Sequence, residues 1–373
     1  MKPSFFTNIV RAGFASAKNS SHFSFGSGSP WNRLARVAVF SAKKYDIEHF
    51  EKVNSELDDK SKLYFEYHSE ELNEKTAKVI DGHDTVCAFV NDKLNAKCVS
   101  ILKERGVDLI ALRCAGFNNV DLAKCHDLGI KVVRVPAYSP YAVAEHAMAL
   151  LLSLNRRIHK AYNRTKEGNF ALDGLLGTDL HGKTVGIVGA GKIGRCFANI
   201  CKGIGMNILY YDVQENTEMN QIGATQVPLT ELWKQSDVIS LHCPLTPETK
   251  HMINKDSLNQ MKPNVIIINT GRGALIHTKA AIQALKQKKI AGLAIDVYEM
   301  EENIFFRDAS TEVMDDDVFA RLLTFPNVIV TGHQAFFTGE ALTNICRTTV
   351  ENIIEYRKKG LTPNEVVAPP KKQ

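Results

Sequence analysis

A glycine-rich turn between a strand pattern and a helix pattern is the feature that most constrains this chain. Residues 189–194 read Gly-Ala-Gly-Lys-Ile-Gly, which fits the pattern G-x-G-x-x-G. An apolar strand pattern (Thr184–Val188) precedes the turn, and a helical run (Ile193–Lys202) follows it. This context is the one in which the pattern indicates a dinucleotide-binding strand–turn–helix unit.

Each position of the turn has a physical reason. Gly189 permits the sharp bend, Gly191 lets the backbone approach a pyrophosphate, and Gly194 lets the helix pack closely on the strand. The helical run begins at Ile193, and the N–H groups at its start, near Lys192 and Ile193, are available to a phosphate. The turn therefore predicts a bound dinucleotide rather than an empty glycine-rich loop.

The acidic residue that follows the next strand pattern bears on which dinucleotide binds. Asp212 lies 23 residues after Gly189, where a carboxylate accepts hydrogen bonds from ribose hydroxyls. The carboxylate would repel a 2′-phosphate, and residues 213–216 contain neither Arg nor Lys. The sequence therefore favours NAD over NADP as the cofactor.

Short apolar strand patterns alternate with helical patterns along the chain, which predicts an α/β fold with parallel sheets. The first unit contains five predicted strands: Arg36–Ser41, Leu63–His68, Val86–Val90, Leu109–Arg113 and Lys131–Val135. The second contains six: Thr184–Val188, Asn207–Tyr211, Val238–Leu241, Val265–Asn269, Gly292–Asp296 and Val328–Val330. We expect two doubly wound, Rossmann-like domains.

Two helical segments indicate where the domain boundaries lie. An apolar helix pattern over Tyr141–Ile158 separates the two units and is a candidate domain connector or subunit contact. The last helical segment, Gly339–Lys359, has too little core of its own to form a domain, so we expect it to pack on the first unit. The predicted parts are a terminal arm (1–34), a substrate domain (35–138, completed by 334–373) and a cofactor domain (139–333).

Three polar residues stand just past the ends of different predicted strands of the second unit: Arg272, Glu301 and His333. Open α/β sheets bind ligands at the carboxyl ends of their strands, so we expect these side chains to converge beside the cofactor. Arginine offers a planar fork to a carboxylate, histidine passes protons near neutral pH, and a carboxylate orients an imidazole. Together they predict a catalytic site.

The body of the chain resembles the D-isomer-specific 2-hydroxyacid dehydrogenases, and within them the fermentative NAD-dependent D-lactate dehydrogenases. The resemblance spans residues 35–365. The stretches that carry it are Leu112–Asp121 (LRCAGFNNVD), Arg134–Pro140 (RVPAYSP), Ala144–His146 (AEH), Gly189–Gly194, Ser240–Thr246 (SLHCPLT), Asn269–Gly273 (NTGRG), Asp296–Glu299 (DVYE) and Thr331–Phe336 (TGHQAF).

The resemblance implies roles for the residues at these positions. Arg272 would grip the substrate carboxylate and polarise the carbonyl group, and His333, paired with Glu301, would donate the proton during reduction. Backbone N–H groups of Ala115 and Gly116 would help to hold the carboxylate.

The remaining implied roles concern the pocket and the cofactor. The side chains expected to shape the small substrate pocket are Tyr138, Phe336 and Phe89. The residues expected near the cofactor are Asp296 at the nicotinamide carboxamide, His242, Cys243 and Pro244 at the adenine side, and Asn269 and Thr270 by their position.

The activity implied is reversible reduction of pyruvate to D-lactate by NADH. Formate dehydrogenases of the same fold carry an amide where this chain has Glu301, which argues against that chemistry. Two alternatives stay open. One is a related dehydrogenase that acts on a larger 2-keto acid, and the other is an NAD(H)-sensing scaffold of the same fold that resembles a transcriptional co-repressor.

Charge is distributed unevenly along the chain. Seven of the 46 basic residues and none of the 41 acidic residues lie within residues 1–45, so residues 46–373 carry 39 basic and 41 acidic groups. An acid-free, Ser-rich arm with scattered Arg and Lys is typical of an organelle transit peptide. We therefore expect a mitochondrial or related organelle location, with a plastid or the cytoplasm as alternatives.

The cysteine spacing, the apolar runs and the charge of the body restrict what the chain can bind. The eight cysteines form no C-x-x-C pair, which favours reduced, packed thiols and argues against a metal site. The longest apolar runs, such as Ala147–Leu152, are too short to span a bilayer, and the near-neutral body has no basic stripe for nucleic acid. We expect a small 2-keto or 2-hydroxy acid as substrate and a homodimer or higher homo-oligomer.

Overall fold

Two parallel sheets organise the chain in the computed structural model, which describes residues 35–367. The predicted terminal arm, 1–34, lies outside the described residues. The strands are β1 (Arg36–Val39), β2 (Tyr64–Tyr67), β3 (Thr85–Ala88), β4 (Leu109–Leu112), β5 (Lys131–Val133), β6 (Thr184–Val188), β7 (Asn207–Tyr211), β8 (Thr225–Gln226), β9 (Val238–Leu241), β10 (Val265–Asn269), β11 (Ile290–Ile295) and β12 (Val328–Val330).

The helices alternate with these strands. They are α1 (Lys44–Ser55), α2 (Ala96–Glu104), α3 (Leu122–Asp127), α4 (Pro140–Asn155), α5 (Ile158–Lys166), α6 (Lys192–Gly203), α7 (Thr217–Ile222), α8 (Leu229–Gln235), α9 (Lys255–Gln260), α10 (Thr278–Lys286), α11 (Asp317–Leu323) and α12 (Gly339–Lys359). Short 3₁₀ turns cover Thr76–Val79, Gly273–Leu275 and Glu301–Asn303.

Both sheets are doubly wound, which confirms the predicted fold class. The first has the strand order β2-β1-β3-β4-β5 and the second β12-β11-β10-β9-β6-β7-β8. The second sheet has one strand more than predicted, because β8 is only two residues long and leaves no periodic pattern. The strand predicted over Gly292–Asp296 begins earlier, at Ile290, and ends at Ile295.

The period of two along β1 places alternate residues on opposite faces of the first sheet. Val37 and Val39 pack on one face together with Val350 and Ile353 of α12. Ala38 packs on the other face, in the same cluster as Val99 and Leu102 of α2. The last long helix therefore completes the core of the first unit, as the sequence predicts.

Helix α4 lies at the junction of the two units and buries an apolar face against the second. Ala147, Leu151 and Leu154 share a core cluster with Phe197 of α6. The helix predicted over Tyr141–Ile158 ends early, at Asn155, because the Asn155 side chain bonds the backbone of Thr178 and Arg157 adopts a left-handed φ of 55°. A separate helix, α5, then begins.

The chain crosses between the two units twice, once between β5 and α4 and once between β12 and α12. The predicted boundaries at 138/139 and 333/334 fall inside these two connections and stay a prediction.

Within residues 35–367, no helix combines the length and the apolar character that crossing a membrane requires.

Candidate active site

A cavity of about 500 Å³ lies between the carboxyl edges of the two sheets, and both units contribute to its wall. This volume falls in the range typical of small-molecule and cofactor sites. The predicted site residues that line it are Ala115, Gly116, Tyr138, Gly191, Lys192, Ile193, His242, Cys243, Pro244, Thr270, Arg272, Asp296, His333 and Phe336.

A histidine–carboxylate pair stands at one side of this cavity. His333 Nδ1 lies 2.7 Å from Glu301 Oε1, and both side chains are about one-fifth exposed. Glu301 is fixed in turn, because its Oε2 accepts a hydrogen bond of 2.8 Å from the backbone N–H of Tyr298. The ring's other nitrogen, Nε2, is left to exchange a proton with a ligand in the cavity.

Arg272 enters the same cavity from the turn after β10. Its Nη1 donates to the carbonyl oxygen of Gly271 at 2.8 Å. Its Nη2 lies beside Gly116 of the other unit, at only 3.1 Å from where a Cβ on that glycine would stand. A guanidinium next to the Ala115–Gly116 backbone is the arrangement expected for holding a carboxylate between the two units.

The turn that carries Arg272 is held by Asn269, which is completely buried. Its Nδ2 donates to the carbonyl oxygen of Arg272 at 2.9 Å, and its Oδ1 accepts from the N–H of Gly271 at 3.0 Å. Asn269 does not line the cavity. The structure therefore places it behind the predicted cofactor site, as the support of the arginine turn.

Asp296 is completely buried at the carboxyl end of β11, and it lines the cavity. Burial alone would raise the pKa of this carboxyl. Hydrogen bonds from His146, Thr331 and the backbone N–H groups of Ala335 and Gln334 outweigh burial and hold the pKa below its ordinary value. Asp296 is therefore a carboxylate at neutral pH.

The glycine turn has the geometry that its pattern predicts. Gly189 adopts a φ of +99°, and a Cβ there would stand 2.6 Å from the backbone of His242 and Cys243. A Cβ on Gly194 would stand 2.0 Å from the carbonyl oxygen of Gly189, whereas one on Gly191 would meet nothing within 4 Å. Gly191 thus faces open space in the cavity, while the other two are tightly packed.

Asp212 lies at the end of β7 against the glycine turn. Its Oδ2 accepts a hydrogen bond of 2.6 Å from the N–H of Ala190, and its Oδ1 accepts one of 2.7 Å from the N–H of Val213. These bonds orient the carboxylate beside the turn, and each oxygen keeps a further lone pair. His242 follows β9, on the other side of β6 from β7, and it is neutral at ordinary pH because burial lowers its pKa to about 4.

Residues 148–335 match the family model described as the NAD-binding domain of the D-isomer-specific 2-hydroxyacid dehydrogenases. Over 332 residues the chain is 50% identical to the D-lactate dehydrogenase of Escherichia coli, covering 89% of this chain and 100% of that protein. The chain belongs to the D-isomer-specific 2-hydroxyacid dehydrogenases.

Solved structures of other proteins agree with this membership. The pyruvate reductase of Chlamydomonas reinhardtii superimposes with a TM-score of 0.82 at 41% identity, covering 88% of this chain and 98% of that one. The D-lactate dehydrogenase of Aquifex aeolicus, solved with NAD and lactic acid, superimposes with a TM-score of 0.76 at 34% identity, covering 89% and 99%. The cofactor of this 2-hydroxyacid dehydrogenase is NAD.

The residues around the glycine turn fit NAD. No side chain caps the N-terminus of α6, so its first N–H groups remain available for a pyrophosphate. Thr270 Oγ1 is buried without a hydrogen-bond partner at the wall of the cavity, where a polar group of the cofactor would satisfy it. Within residues 35–367 no cluster of His, Cys, Asp or Glu is arranged to hold a metal ion.

Aromatic rings form part of the wall of this dehydrogenase's cavity. Tyr138 and Phe336 line it, with ring centroids 6.3 Å apart. Phe89, which the sequence also predicts in the pocket wall, does not line the cavity. It lies behind Phe336, at 6.5 Å between ring centroids, and Arg113 packs over its other side at 4.8 Å.

Arg134 and Phe306 are among the residues of the site that sequence reasoning missed. Arg134 follows β5 and lines the cavity, with its Nη1 donating to the carbonyl oxygen of Ala115 at 2.9 Å. Phe306 lies 5.4 Å from the His333 ring and 5.0 Å from that of Phe89. The position of Arg134 just past a strand end was a usable signal, whereas Phe306 lies in a loop that leaves no pattern.

Proposed function

We propose that this protein is an NAD-dependent D-lactate dehydrogenase that reversibly reduces pyruvate to D-lactate. The observation that carries the proposal is the 2.7 Å contact between Glu301 and His333, since His333 lines the same cavity as Arg272 and Gly191. The similarity to proteins described as D-lactate dehydrogenases and as a pyruvate reductase supports it.

The side chains of this chain perform the proton and charge steps. Bound NADH supplies the hydride. His333, protonated and held by Glu301, donates its Nε2 proton to the carbonyl oxygen of pyruvate. Glu301 stabilises the imidazolium before the transfer and fixes which nitrogen faces the substrate.

Arg272 acts on the charge of the substrate. Its guanidinium binds the carboxylate together with the backbone N–H groups of Ala115 and Gly116, and it stabilises the negative charge that develops on the carbonyl oxygen. Tyr138 and Phe336 leave an apolar place for the methyl group. Because Arg272 and Gly116 belong to different units, substrate binding draws the two units together and excludes water.

An NADH-oxidation assay across a series of 2-keto acids, with chiral analysis of the product, tests the proposal. The expected result is the highest kcat/KM with pyruvate and D-lactate as the product. L-lactate as the product would contradict the proposal. A preference for a longer 2-keto acid would indicate a different member of the family, and NADH binding without turnover on any acid would indicate an NAD(H)-sensing scaffold.

We also propose that the protein forms homo-oligomers. Supporting this, the end of α4, α5 and the loop that follows expose large apolar side chains: Leu152, Ile158, Tyr162, Phe170, Leu172 and Leu176. Light scattering coupled to size-exclusion chromatography tests the proposal, with a dimer or larger species expected. A monomer at micromolar concentration would contradict it.

We further propose that residues 1–34 direct the protein to a mitochondrion or related organelle. The composition of the arm supports this, since it holds four of the basic residues and no acidic one. Fusing residues 1–34 to a fluorescent protein should relocate that protein to the organelle. A diffuse cytoplasmic signal would contradict the address, and a plastid signal would correct it.

A further inference from the structure

The buried carboxylate of Asp296 holds the chain segment that carries His333. Its Oδ1 accepts hydrogen bonds from Thr331 Oγ1 at 2.5 Å and from the N–H of Gln334 at 2.9 Å, and its Oδ2 accepts from the N–H of Ala335 at 2.8 Å. These donors lie on both sides of His333. The Asp296 carbonyl oxygen also accepts from the N–H of His333 itself, at 2.7 Å.

His333 needs this support because its backbone is in a strained conformation. Its φ is +55°, in the left-handed region that residues with a Cβ rarely adopt. Such a conformation is unfavourable for a residue with a Cβ and persists only where the surrounding structure holds it. The hydrogen bonds to Asp296 fix the side chain of Thr331 and the backbone at positions 333, 334 and 335.

A second layer of hydrogen bonding lies behind this carboxylate. His146 Nε2, on α4, lies 3.0 Å from Thr331 Oγ1 and 3.4 Å from Asp296 Oδ1. The hydroxyl of Thr331 has one proton, and the short contact to an ionised carboxylate assigns that proton to Asp296. Thr331 Oγ1 must therefore accept from His146, which places a proton on the Nε2 of that ring.

The chain His146–Thr331–Asp296 joins the two places where the polypeptide crosses between domains. His146 lies in the second turn of α4, soon after the first crossing, and Thr331 directly precedes the second. The substitution of either residue leaves both the glycine turn and Arg272 unchanged, since neither residue lines the cavity.

We propose that Thr331 and His146 are positioning residues for proton transfer: they orient the Asp296 carboxylate, which holds His333 in the geometry that donates a proton to the substrate. The inference rests on the proposed function, because it assigns these residues to the same reduction. Neither residue touches the substrate, so both act through Asp296 and His333.

A matched pair of variants at Thr331 tests this proposal. T331V keeps the shape of the side chain and removes the hydroxyl, whereas T331S keeps the hydroxyl and removes a methyl group. For T331V we expect kcat with pyruvate to fall about tenfold or more while KM changes little, because the proton donor is misplaced after substrate has bound. T331S should stay within about threefold of wild type in kcat.

A second pair at His146 tests the link between the two residues. H146L removes the donor and should lower kcat as T331V does, whereas H146Q keeps an N–H donor and should retain more activity. The double variant T331V/H146L should be no slower than T331V, because both changes act through one carboxylate. Additive losses, or equal kcat in T331V and T331S, would overturn the proposal.

A readout independent of turnover keeps the two proposals separable. Diethyl pyrocarbonate acylates accessible imidazoles, and mass spectrometry of the peptides reports the rate at His333 in the cofactor-free protein. The rate should rise about fivefold in T331V and stay at the wild-type value in T331S, because the loosened segment opens more often. Unchanged acylation in T331V overturns the positioning role, whereas a wild-type enzyme that does not reduce pyruvate overturns the proposed function alone.

Discussion

After the first strand of each sheet, the chain turns into a helix, and the two turns differ in what fills them. Between β6 and α6, no side chain caps the helix, and Gly191 faces open space. Between β1 and α1, the protein fills the turn itself. Asp46 accepts the N–H of Lys43 at 2.9 Å, and Arg113 donates to Asp46 at 3.2 Å and to the carbonyl oxygen of Ser41 at 2.9 Å.

The turn after β1 and the turn after β6 have equivalent positions in their two sheets. The side chains around each turn determine whether it becomes a ligand site. In the first unit this position is filled by the buried ion pair of Arg113 and Asp46. In the second it stays open for the phosphates of NAD. The side chains to which we assign the chemistry, Arg272, Glu301 and His333, all come from the second unit.

Removal of the proposed proton donor in the second unit should have the strongest effect on activity. H333A should bind NADH with nearly unchanged affinity and should lose pyruvate reduction by about a thousandfold, since proton donation is removed while the glycine turn is intact. Fluorescence titration of NADH and steady-state kinetics measure the two quantities. Turnover near the wild-type rate would place the proton donor elsewhere.

Substitution of the residues that fill the turn between β1 and α1 should instead lower the free energy of unfolding. R113M leaves the Asp46 carboxylate buried without its partner and should lower the free energy of unfolding by about 3–5 kcal/mol. R113M/D46N should recover most of this loss, because an amide carries no charge and can still accept the N–H of Lys43. Urea unfolding measures both free energies, and an R113M variant as stable as wild type would show that the fold does not depend on this ion pair.

The second unit also contains a histidine, His242, whose protonation should affect the stability of the protein. The pKa of His242 is about 4 when folded, against about 6.5 in an unfolded chain. As pH falls from about 6.5 to 4, the unfolded state takes up a proton that the folded state does not, so stability is lost, by up to about 3 kcal/mol. H242N should remove this part of the pH dependence in urea unfolding. Identical profiles for H242N and wild type would contradict the shift.

The smallest expected effect separates binding from folding at the open turn. G191A should leave the free energy of unfolding unchanged, because its Cβ meets no atom, and should weaken NADH binding about tenfold by occupying the space of the phosphate. G203A is the matched control on the same helix, with equal space but outside the cavity. Equal NADH affinity in G191A and wild type would mean that the pyrophosphate does not approach this glycine.

Local sequence patterns predicted most of the fold. Strands such as β6 and β10 are continuous apolar runs, so their existence and approximate ends follow from the pattern. The break after Asn155 was not predicted, because it depends on that side chain bonding Thr178, in a loop 23 residues away. Nor was β8, which exists through its pairing with β7.

The site likewise contains residues that local patterns predicted and residues that they did not. Arg272, Glu301 and His333 were predictable because each follows a strand that ends at the same edge. The support of His333 was not predictable, since His146 and Thr331 are 185 residues apart and only the packing of α4 joins them. The placement of Phe89 behind Phe336 likewise depends on how the two units meet.

The return of α12 to the first sheet has a consequence for synthesis. Val350 and Ile353 cover a sheet face whose last strand ends at Val133, about 200 residues earlier in the chain. At the usual elongation rate of about 5–20 residues per second, that apolar face stays uncovered for roughly 10–40 seconds, until α12 has been synthesised. The residues of the second unit are therefore all synthesised before the first unit is complete, so a nascent chain presents chaperones with a finished carboxyl-side unit attached to an unfinished amino-side one.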